Sequence, residues 1–312
     1  MATVVFENLK DVTLPPGPVV LTIGTFDGVH RAHQMLFRET IAHARSIGGV
    51  AAVLTFQNHP RSVIASGHEP MLLTDWPTKK RLIVEQGVDV LAGILFDEPL
   101  SQTSPEQFVA EVISKKFRAC AVMSGPAFHF GFRGAGSAAL LQELSAKYQY
   151  TYTKHEPISL HGRKVSSTLI REMLDEGDVA TAAEFLGRPH RNSGVVVTGD
   201  ALGRKMQYPT ANIEFPPDVL IPPRGVYAVR VTDPSSKTHN GMMNIGWRPT
   251  VDGKNLRHEV HLLDFSGDLV GSTLHVDYVA RIRDEQKFDG VDALRAQLQR
   301  DEAATRKVLT SP

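Results

Sequence analysis

The feature that most constrains the fold is an alternation of short apolar runs with longer helical stretches in the first half of the chain. The predicted strands cover residues 19–24, 51–56, 88–95 and 119–124, and the predicted helices cover residues 34–46, 78–86, 105–116 and 138–147. Strands that alternate with helices in this way indicate parallel βαβ units. The first half is therefore predicted to form an open parallel α/β sheet.

The pattern changes at residues 187–194, a short, polar and turn-rich stretch that is typical of a linker. Beyond it the sequence shows short β-type runs at residues 195–198, 226–232, 259–264 and 274–279. Proline and glycine clusters divide these runs, which predicts an antiparallel barrel or sandwich, and a helix over about 291–309 closes the chain. We therefore predict two domains, residues 1–186 and 187–312.

The charge balance restricts the kinds of partner. Lys plus Arg and Asp plus Glu both number 34, so general attraction to nucleic acid or to an anionic membrane is not expected, and phosphate binding has to be local. The single cysteine, Cys120, cannot form an internal disulfide, which fits a reducing compartment. We find no signal peptide and no apolar run long enough to span a membrane, so we expect a cytoplasmic protein. The oligomeric state stays open.

A first candidate site lies directly after the first predicted strand, in residues 25–33 (TFDGVHRAH). Ligands of open α/β sheets bind at the carboxyl ends of strands, and the N-terminus of a following helix attracts phosphate. His30 and His33, three residues apart, can together face the α-phosphate of a nucleotide and stabilise charge that develops on it. Two surface histidines, or two zinc ligands, are the alternatives, although no cysteine or third histidine lies nearby in sequence.

A second polar segment complements this turn. Ser166 and Ser167 stand just before a helical run and can cap it, and Arg171, about one turn into the helix, can reach a phosphate. Helix capping alone is the simpler alternative. Together with the histidine turn, the segment is interpreted as the far wall of an ATP site.

A second candidate site lies in the C-terminal half. The chain contains no P-loop pattern, so phosphoryl transfer would need another way to position Mg²⁺ and phosphates. Thr210 and Asn212 supply neutral oxygens that suit Mg²⁺, although a plain polar turn is the alternative.

Strand alternation places Glu259 and His261 on one face and His258 on the other, which argues against a metal shared by the two histidines. Glu259 can accept the proton of a hydroxyl that attacks a γ-phosphoryl group, or it is simply an exposed strand carboxylate.

These segments resemble a known family. Residues 25–33 and 166–171 (SSTLIR) resemble the bacterial bifunctional riboflavin kinase/FAD synthetases, and the resemblance covers nearly the whole chain in the family's order. Further matching pieces are Thr55-Phe56 with His59-Pro60, Leu73-Thr74 with Lys79, Phe128 with Phe130-Gly131, and residues 209–212, 244–250, 257–265 and 281–288.

The resemblance implies two ATP-dependent steps. The N-terminal domain, similar to nucleotidyltransferases, is expected to join FMN to the AMP part of ATP, which yields FAD and pyrophosphate. The C-terminal domain is expected to be a six-stranded antiparallel barrel that phosphorylates riboflavin to FMN. The implied small molecules are riboflavin, FMN and ATP as substrates, FMN and FAD as products, and Mg²⁺ as the metal.

The resemblance also assigns roles to individual residues. Catalysis is implied for Glu259, His30, His33 and Arg171, and metal binding for Thr210 and Asn212. Flavin contact is implied for Phe56, Phe128, Arg283 and Phe288. ATP or phosphate binding is implied for Gly24, Thr25, Phe26, Asp27, Gly28, Ser166, Ser167, Thr168, Gly199, Gly203 and Arg204.

The chain departs from the family's usual pattern mainly on the flavin side of the first site. Ala127 stands where Asp or Asn is usual, His129 where Arg is frequent, and Ser137 where Asp is frequent, so FAD synthesis is expected to be the weaker activity. One alternative is therefore a riboflavin kinase with a weak or vestigial adenylyltransferase. The other is a non-catalytic flavin-nucleotide binding protein, which has no use for a base beside a metal site.

Overall fold

The computed structural model describes residues 2–65, 67–199, 208–250 and 253–310. The chain divides into two compact units, Met1–Ser167 and Thr168–Pro312. Within the described residues, no helix is both long enough and apolar enough to cross a membrane. We describe the two units separately.

The first unit contains a six-stranded sheet in which every neighbouring pair of strands is parallel, in the order β1-β4-β3-β2-β5-β6. Its strands are β1 Val4–Phe6, β2 Val19–Ile23, β3 Val50–Phe56, β4 Val90–Ile94, β5 Ala119–Ser124 and β6 Thr151–Lys154. A separate hairpin pairs β7 (Ser159–Leu160) with β8 (Arg163–Lys164). The predicted open parallel sheet is confirmed.

Helices connect these strands, as the alternation predicted. They are α1 Arg31–Ser46, α2 Arg61–Ile64, α3 Trp76–Val84, α4 Glu98–Ser101, α5 Pro105–Gln107 and α6 Ala138–Tyr148. A π-helical segment, Phe108–Lys116, continues α5. Every residue of β2 and of β3 is buried, because apolar clusters pack on both faces of the sheet.

The strand order reverses next to β2. Strands β3, β4 and β1 extend the sheet on one side of it, and β5 and β6 extend it on the other. In open α/β sheets ligands bind in the crevice at such a switch point, outside the carboxyl ends of the strands. The segments that leave β2 and β5 at this place are residues 24–30 and 125–130.

The second unit is a closed antiparallel barrel of six strands in the order β10-β13-β12-β11-β14-β9. Its strands are β9 His190–Val197, β10 Ala211–Glu214, β11 Gly225–Thr232, β12 Thr238–Thr250, β13 Gly253–Leu262 and β14 Thr273–Arg283. Strand pairing between β9 and β10 closes the barrel, which decides between the barrel and the sandwich that the sequence left open. The accompanying helices are α7 Ser167–Asp175, α8 Val179–Leu186 and α9 Val291–Thr310, the last of which was predicted.

The predicted linker at residues 187–194 is wrong, because most of it belongs to β9. Its polar side chains have partners inside the barrel unit. The ring of His190 and the side-chain amide of Asn192 both hydrogen-bond the carbonyl oxygen of Leu220. Arg191 forms an ion pair with Asp277, as is usual for a charged side chain that is partly buried. Polar composition therefore reflects satisfied polar contacts here and not a solvated linker.

The compact units divide just ahead of Thr168, whereas the predicted domain boundary lies after residue 186. The difference concerns α7 and α8. Helix α8 buries Val179, Ala182 and Phe185 and packs against β14 and β9, so it shares the core of the barrel unit. The earlier boundary follows from this packing.

Candidate active sites

The turn after β2 has a shape that its residues force on the backbone. Phe26 has a positive φ of 48° and is only 3% exposed. Its ring folds back over Gly24, where a Cβ atom would lie 2.7 Å from a ring carbon, and it meets the His33 ring edge-on at 5.1 Å. A left-handed conformation costs a non-glycine residue about 1–2 kcal/mol, which the surrounding packing has to offset. Phe26 therefore shapes the turn with a side chain that lies in the core.

His30 is the N-cap of α1, so the helix begins at Arg31, three residues before the predicted start at residue 34. The Nδ1 atom of His30 accepts a hydrogen bond of 3.4 Å from the backbone N–H of His33. A nitrogen that accepts a hydrogen bond carries no proton, so a neutral His30 carries its proton on Nε2. The His33 ring stacks on that of His30 with centroids 3.5 Å apart. The structure thus brings the two predicted histidines together at a helix N-terminus, where they can act on one anion.

Asp27 attaches the turn after β2 to the segment that leads into α3. Its buried carboxylate accepts hydrogen bonds from the backbone N–H groups of Leu73 and Thr74. The Thr74 hydroxyl accepts a hydrogen bond of 3.2 Å from the N–H of Gly28. The carboxylate of Asp27 is therefore engaged by the protein, which makes it a positioning group for the turn.

Ser167 joins the same turn, as the pairing of the two segments predicted. Its hydroxyl donates a hydrogen bond of 2.9 Å to the backbone carbonyl of Asp27. Ser166 is half-buried directly before it. Thr168 and Arg171 lie in the first two turns of α7, in the second unit.

Aromatic side chains line the neighbouring strand ends. Phe56, at the end of β3, meets Phe96 edge-on at 5.2 Å, and Phe128 stacks on Phe130 at 5.5 Å. All four belong to, or pack against, one apolar cluster. An aromatic surface of this kind suits a flat ring system, so the two predicted flavin residues Phe56 and Phe128 lie in a suitable environment.

Two of the departures from the family pattern have local explanations. Ser137 caps α6 by accepting a hydrogen bond of 3.4 Å from the N–H of Leu140, and serine and aspartate are about equally good caps. His129 hydrogen-bonds the carbonyl of Ala127 within its own loop at 3.2 Å. Ala127 itself is exposed.

In the barrel unit, strand pairing forms a row of polar side chains. Asn212 on β10 lies directly opposite Glu259 on β13, and Glu259 lies directly opposite Asn244 on β12. Directly opposed residues point to the same face with Cβ atoms about 4.5–5.5 Å apart. Val260, the next residue after Glu259, is 1% exposed and points into the barrel. The carboxylate of Glu259 therefore stands on the outer face, between two amides.

The Asn212 side chain packs closely against Gly199. It lies so close to Gly199 that a Cβ atom there would overlap the amide, so residue 199 has to be glycine for Asn212 to keep this position. Thr210, two residues before Asn212, is exposed. Gly203 and Arg204, which were predicted to bind the nucleotide, lie outside the described residues.

Sequence reasoning missed the role of His261 in this site. Its Nδ1 atom lies 2.8 Å from the carbonyl oxygen of Pro209, and since a carbonyl only accepts, Nδ1 donates. Its ring also meets Tyr208 edge-on at 5.1 Å. His261 thereby attaches the turn that carries Thr210 to the strand that carries Glu259. The available signal was strand alternation, which correctly put His261 on the face of Glu259. His258 is largely buried, which lowers the pKa of its ring, as expected for the opposite face.

The predicted flavin residues Arg283 and Phe288 lie together, with the guanidinium 5.6 Å from the ring centroid. Arg283 also makes a bidentate ion pair with Asp301, which is 2% exposed. The neighbouring Glu285 accepts a hydrogen bond of 2.9 Å from the N–H of Trp247 on β12. Arg283 is thus engaged with the C-terminal helix, while Glu285 holds its segment against the barrel.

Among the described residues, no group of three or more His, Cys, Asp or Glu side chains is arranged to hold a metal ion. The first unit instead offers a helix N-terminus with two histidines, and the second offers a carboxylate flanked by amide oxygens. These are groups that bind phosphates and activate hydroxyls. Fold and site together define the class of protein, which is an enzyme of two units that acts on nucleotides and phosphate groups.

Comparisons with known proteins narrow this class. A family model for FAD synthetase matches residues 14–169, and a family model for riboflavin kinase matches residues 186–309. The chain is 37% identical over 300 residues to a bifunctional riboflavin kinase/FMN adenylyltransferase of Escherichia coli strain K12, with 96% of each chain covered. It is 34% identical over 287 residues to the protein of that name from Bacillus subtilis strain 168, with 90% of each chain covered.

A solved structure described as a macrolide-efflux protein from Streptococcus pneumoniae has the same fold. The two chains superpose with a TM-score of 0.86 at 32% identity, over 98% of this chain and 99% of that one. With the sequence relatives and both family models in agreement, the chain belongs to the bifunctional riboflavin kinase/FMN adenylyltransferase family.

Proposed function

We propose that the barrel unit phosphorylates riboflavin to FMN with ATP, and that the parallel α/β unit adenylylates FMN to FAD. Family membership supports both steps. The observation that carries the proposal is the pairing of Glu259 with Asn212 across two neighbouring strands, which sets a base beside an oxygen ligand suited to a phosphate-bound cation.

For the kinase step, Glu259 is the general base. Its carboxylate takes the proton of the terminal ribityl hydroxyl of riboflavin while that oxygen forms a bond to the γ-phosphorus of ATP. The bond between the γ-phosphorus and the β,γ-bridging oxygen breaks, and ADP leaves. Asn244, on the other side of Glu259, is placed to orient the carboxylate or the hydroxyl.

Thr210 and Asn212 are the proposed residues for Mg²⁺. Their side-chain oxygens are hard, neutral ligands of the kind that Mg²⁺ accepts when it keeps some of its water. The seat of Asn212 against Gly199 supports this assignment, because it holds the amide in one place. Mg²⁺, when bound, neutralises charge on the ATP phosphates. His261 attaches the turn that carries Thr210 to the strand that carries Glu259.

For the adenylylation step, His30 and His33 are the proposed donors to the α-phosphate. A phosphate oxygen of FMN attacks the α-phosphorus of ATP, and pyrophosphate leaves as the bond to the bridging oxygen breaks. Because His30 carries its proton on Nε2, it can donate to an α-phosphate oxygen whose charge grows in the transition state. Ser166, Ser167, Thr168 and Arg171 are proposed to contact the phosphates, and Phe56 and Phe128 the flavin.

We place the reaction in the cytoplasm, without nucleic acid or membrane as a partner. The lack of excess positive charge and the single cysteine support this placement.

The test is to incubate the protein with riboflavin, ATP and Mg²⁺ and to separate FMN from FAD by chromatography. Glu259→Gln should lower FMN formation by about 10²–10⁴-fold with riboflavin binding retained, since the amide cannot accept the proton. The matched control is Glu214→Gln, an exposed strand carboxylate of the same unit. A Glu259→Gln protein within a few-fold of wild type excludes Glu259 as the base.

His30→Ala and His33→Ala should abolish FAD formation from supplied FMN and spare FMN formation. His43→Ala, an exposed histidine on the same helix, is the control. Formation of FMN alone by the wild-type protein identifies a kinase with a vestigial adenylyltransferase unit, and formation of neither product identifies a flavin-nucleotide binding protein.

A further inference from the structure

Lys79 on α3 is a charged side chain in the core of the α/β unit. It is 2% exposed and is among the largest fully buried side chains. Burial lowers the pKa of its ammonium to about 8, and the nearby Asp27 carboxylate opposes that shift. Burying a cation is unfavourable unless polar partners surround it, so a position that serves packing alone would hold an apolar residue.

The partners of Lys79 come from two different strand ends. Its Nζ atom donates a hydrogen bond of 2.5 Å to the carbonyl oxygen of Phe56, the last residue of β3. It donates a second, of 3.3 Å, to the carbonyl oxygen of Thr25, which follows β2. Thr25 begins the turn after β2 that leads to His30 and His33, and Phe56 is one of the aromatic residues at the neighbouring strand ends. One ammonium group therefore connects the backbone of the turn proposed to bind ATP with the backbone of a proposed flavin contact.

The charge partner completes this link. Asp27 belongs to the same turn as Thr25 and attracts the ammonium electrostatically. The Asp27 carboxylate in turn holds Leu73 and Thr74, the segment that leads into α3. Turn, strand end and helix therefore form a closed set of contacts around one cation.

The helix is itself held in a defined position, so that Lys79 enters the core at a fixed point. Asp75 caps α3 by accepting a hydrogen bond of 2.8 Å from the N–H of Thr78. Trp76 packs directly on Gly93 of β4, where any side chain would overlap its ring. Lys79 follows one turn later.

We propose that Lys79 is a positioning residue that sets the spacing between the ATP half and the flavin half of the adenylylation site. The inference rests on the proposed function of this unit. Without the ammonium, the carbonyls of Thr25 and Phe56 lose their shared donor, and Asp27 loses its electrostatic attraction to the cation. Both substrates should then bind less well, although Lys79 touches neither.

The test uses the full-length protein with Lys79→Met, which has a similar length and no charge. The matched control is Lys80→Met, the next residue on the same helix, whose ammonium pairs with Glu7 on the surface. We expect Lys79→Met to lower kcat/KM for FAD formation at least tenfold, with KM raised for both ATP and FMN. Riboflavin phosphorylation, measured on the same protein, and both activities of Lys80→Met should stay within twofold of wild type.

A folded Lys79→Met protein with wild-type FAD formation, or with a KM change for only one substrate, overturns the inference. Wild-type protein that forms no FAD contradicts the proposed function instead, so the two failures are distinguishable. Circular dichroism and limited proteolysis establish whether the α/β unit of the variant is folded.

If that unit is unfolded in Lys79→Met, the pH profile of the wild-type protein decides. The ammonium is protonated below its pKa and loses its charge above it, so kcat/KM for FAD formation should fall as the pH rises through about 8. Among the described residues, the charged group that interacts with this ammonium is Asp27, whose carboxylate raises the pKa of Lys79. Riboflavin phosphorylation should show no decline at this pH. An unchanged kcat/KM for FAD formation up to pH 9.5 overturns the inference.

Discussion

At the scale of single residues, the structure changes the meaning of Ala127. The family resemblance places an Asp or Asn here that could hydrogen-bond the edge of the flavin ring. Ala127 is exposed, and the ring of His129 in the same loop hydrogen-bonds the backbone carbonyl of Ala127. Because solvent reaches this position, water can pair with the flavin edge in place of a side chain. The expected loss is then that of one ordinary hydrogen bond and not that of a buried unpaired group.

Ala127→Asn should therefore strengthen FMN use modestly. A net hydrogen bond contributes about 0.5–1.5 kcal/mol, which corresponds to about 2- to 13-fold in KM for FMN. Neither KM for ATP nor riboflavin phosphorylation should change. Steady-state kinetics of FAD formation with FMN as the varied substrate measure the effect. Equal KM values for FMN in Ala127→Asn and wild type would show that the contact is not missing.

At the scale of secondary-structure elements, α9 is attached to the barrel by one buried ion pair. Asp301 on α9 receives both the bidentate guanidinium of Arg283 on β14 and the amide of Gln297. Thr305 and Leu309 bury the same face of the helix. The segment after β14 carries Phe288, so the position of α9 bears on a predicted flavin contact.

Asp301→Ala should lower the free energy of unfolding of the barrel unit by about 3–5 kcal/mol, because it leaves the largely buried Arg283 guanidinium without its carboxylate partner. Asp292→Ala, an exposed carboxylate in the first turn of the same helix, is the matched control and should have little effect. Urea unfolding of the full-length proteins compares them. If both variants unfold at the same urea concentration, the pair contributes no more than a surface charge.

At the scale of the whole molecule, the boundary between the units decides which fragments can fold. Four side chains of α8 are buried, namely Val179, Ala182, Phe185 and Leu186. Arg281 of β14 also donates to the carbonyl of Glu176, just before α8. A fragment that begins at residue 187 loses all of these contacts.

A fragment of residues 168–312 should therefore be more stable than one of residues 187–312. Full burial of a Val, Leu or Phe side chain contributes about 1.5–3 kcal/mol, so the loss of α8 removes several kcal/mol. Thermal unfolding and riboflavin phosphorylation by the two purified fragments measure the difference. Equal melting temperatures would place α8 outside the barrel core and favour the boundary after residue 186.

The sequence by itself determined the class of fold and most candidate residues. Alternating apolar runs and helical stretches predicted the parallel sheet, because periodicity within a segment reflects whether one or both of its faces are buried. The same reasoning put Glu259 and His261 on one face. Short elements such as β1, β6 and β10 escaped it, since a few residues carry too little periodicity to register. The long strand β12 also escaped it, because two glycines and a proline interrupt its sequence.

Only the tertiary structure decided which partner each polar group has. The polar composition of residues 190–194 suggested a linker, because the partners of these side chains are distant in sequence. They are Leu220 and residues more than 80 positions away, such as Asp277 and His275. The sequence likewise marks Lys79 only as part of a segment that resembles the family, and its partners, the carbonyls of Thr25 and Phe56, come from distant parts of the chain. Local pattern carries information about faces and periods, whereas the satisfaction of a buried polar group depends on atoms that chain folding brings from distant positions.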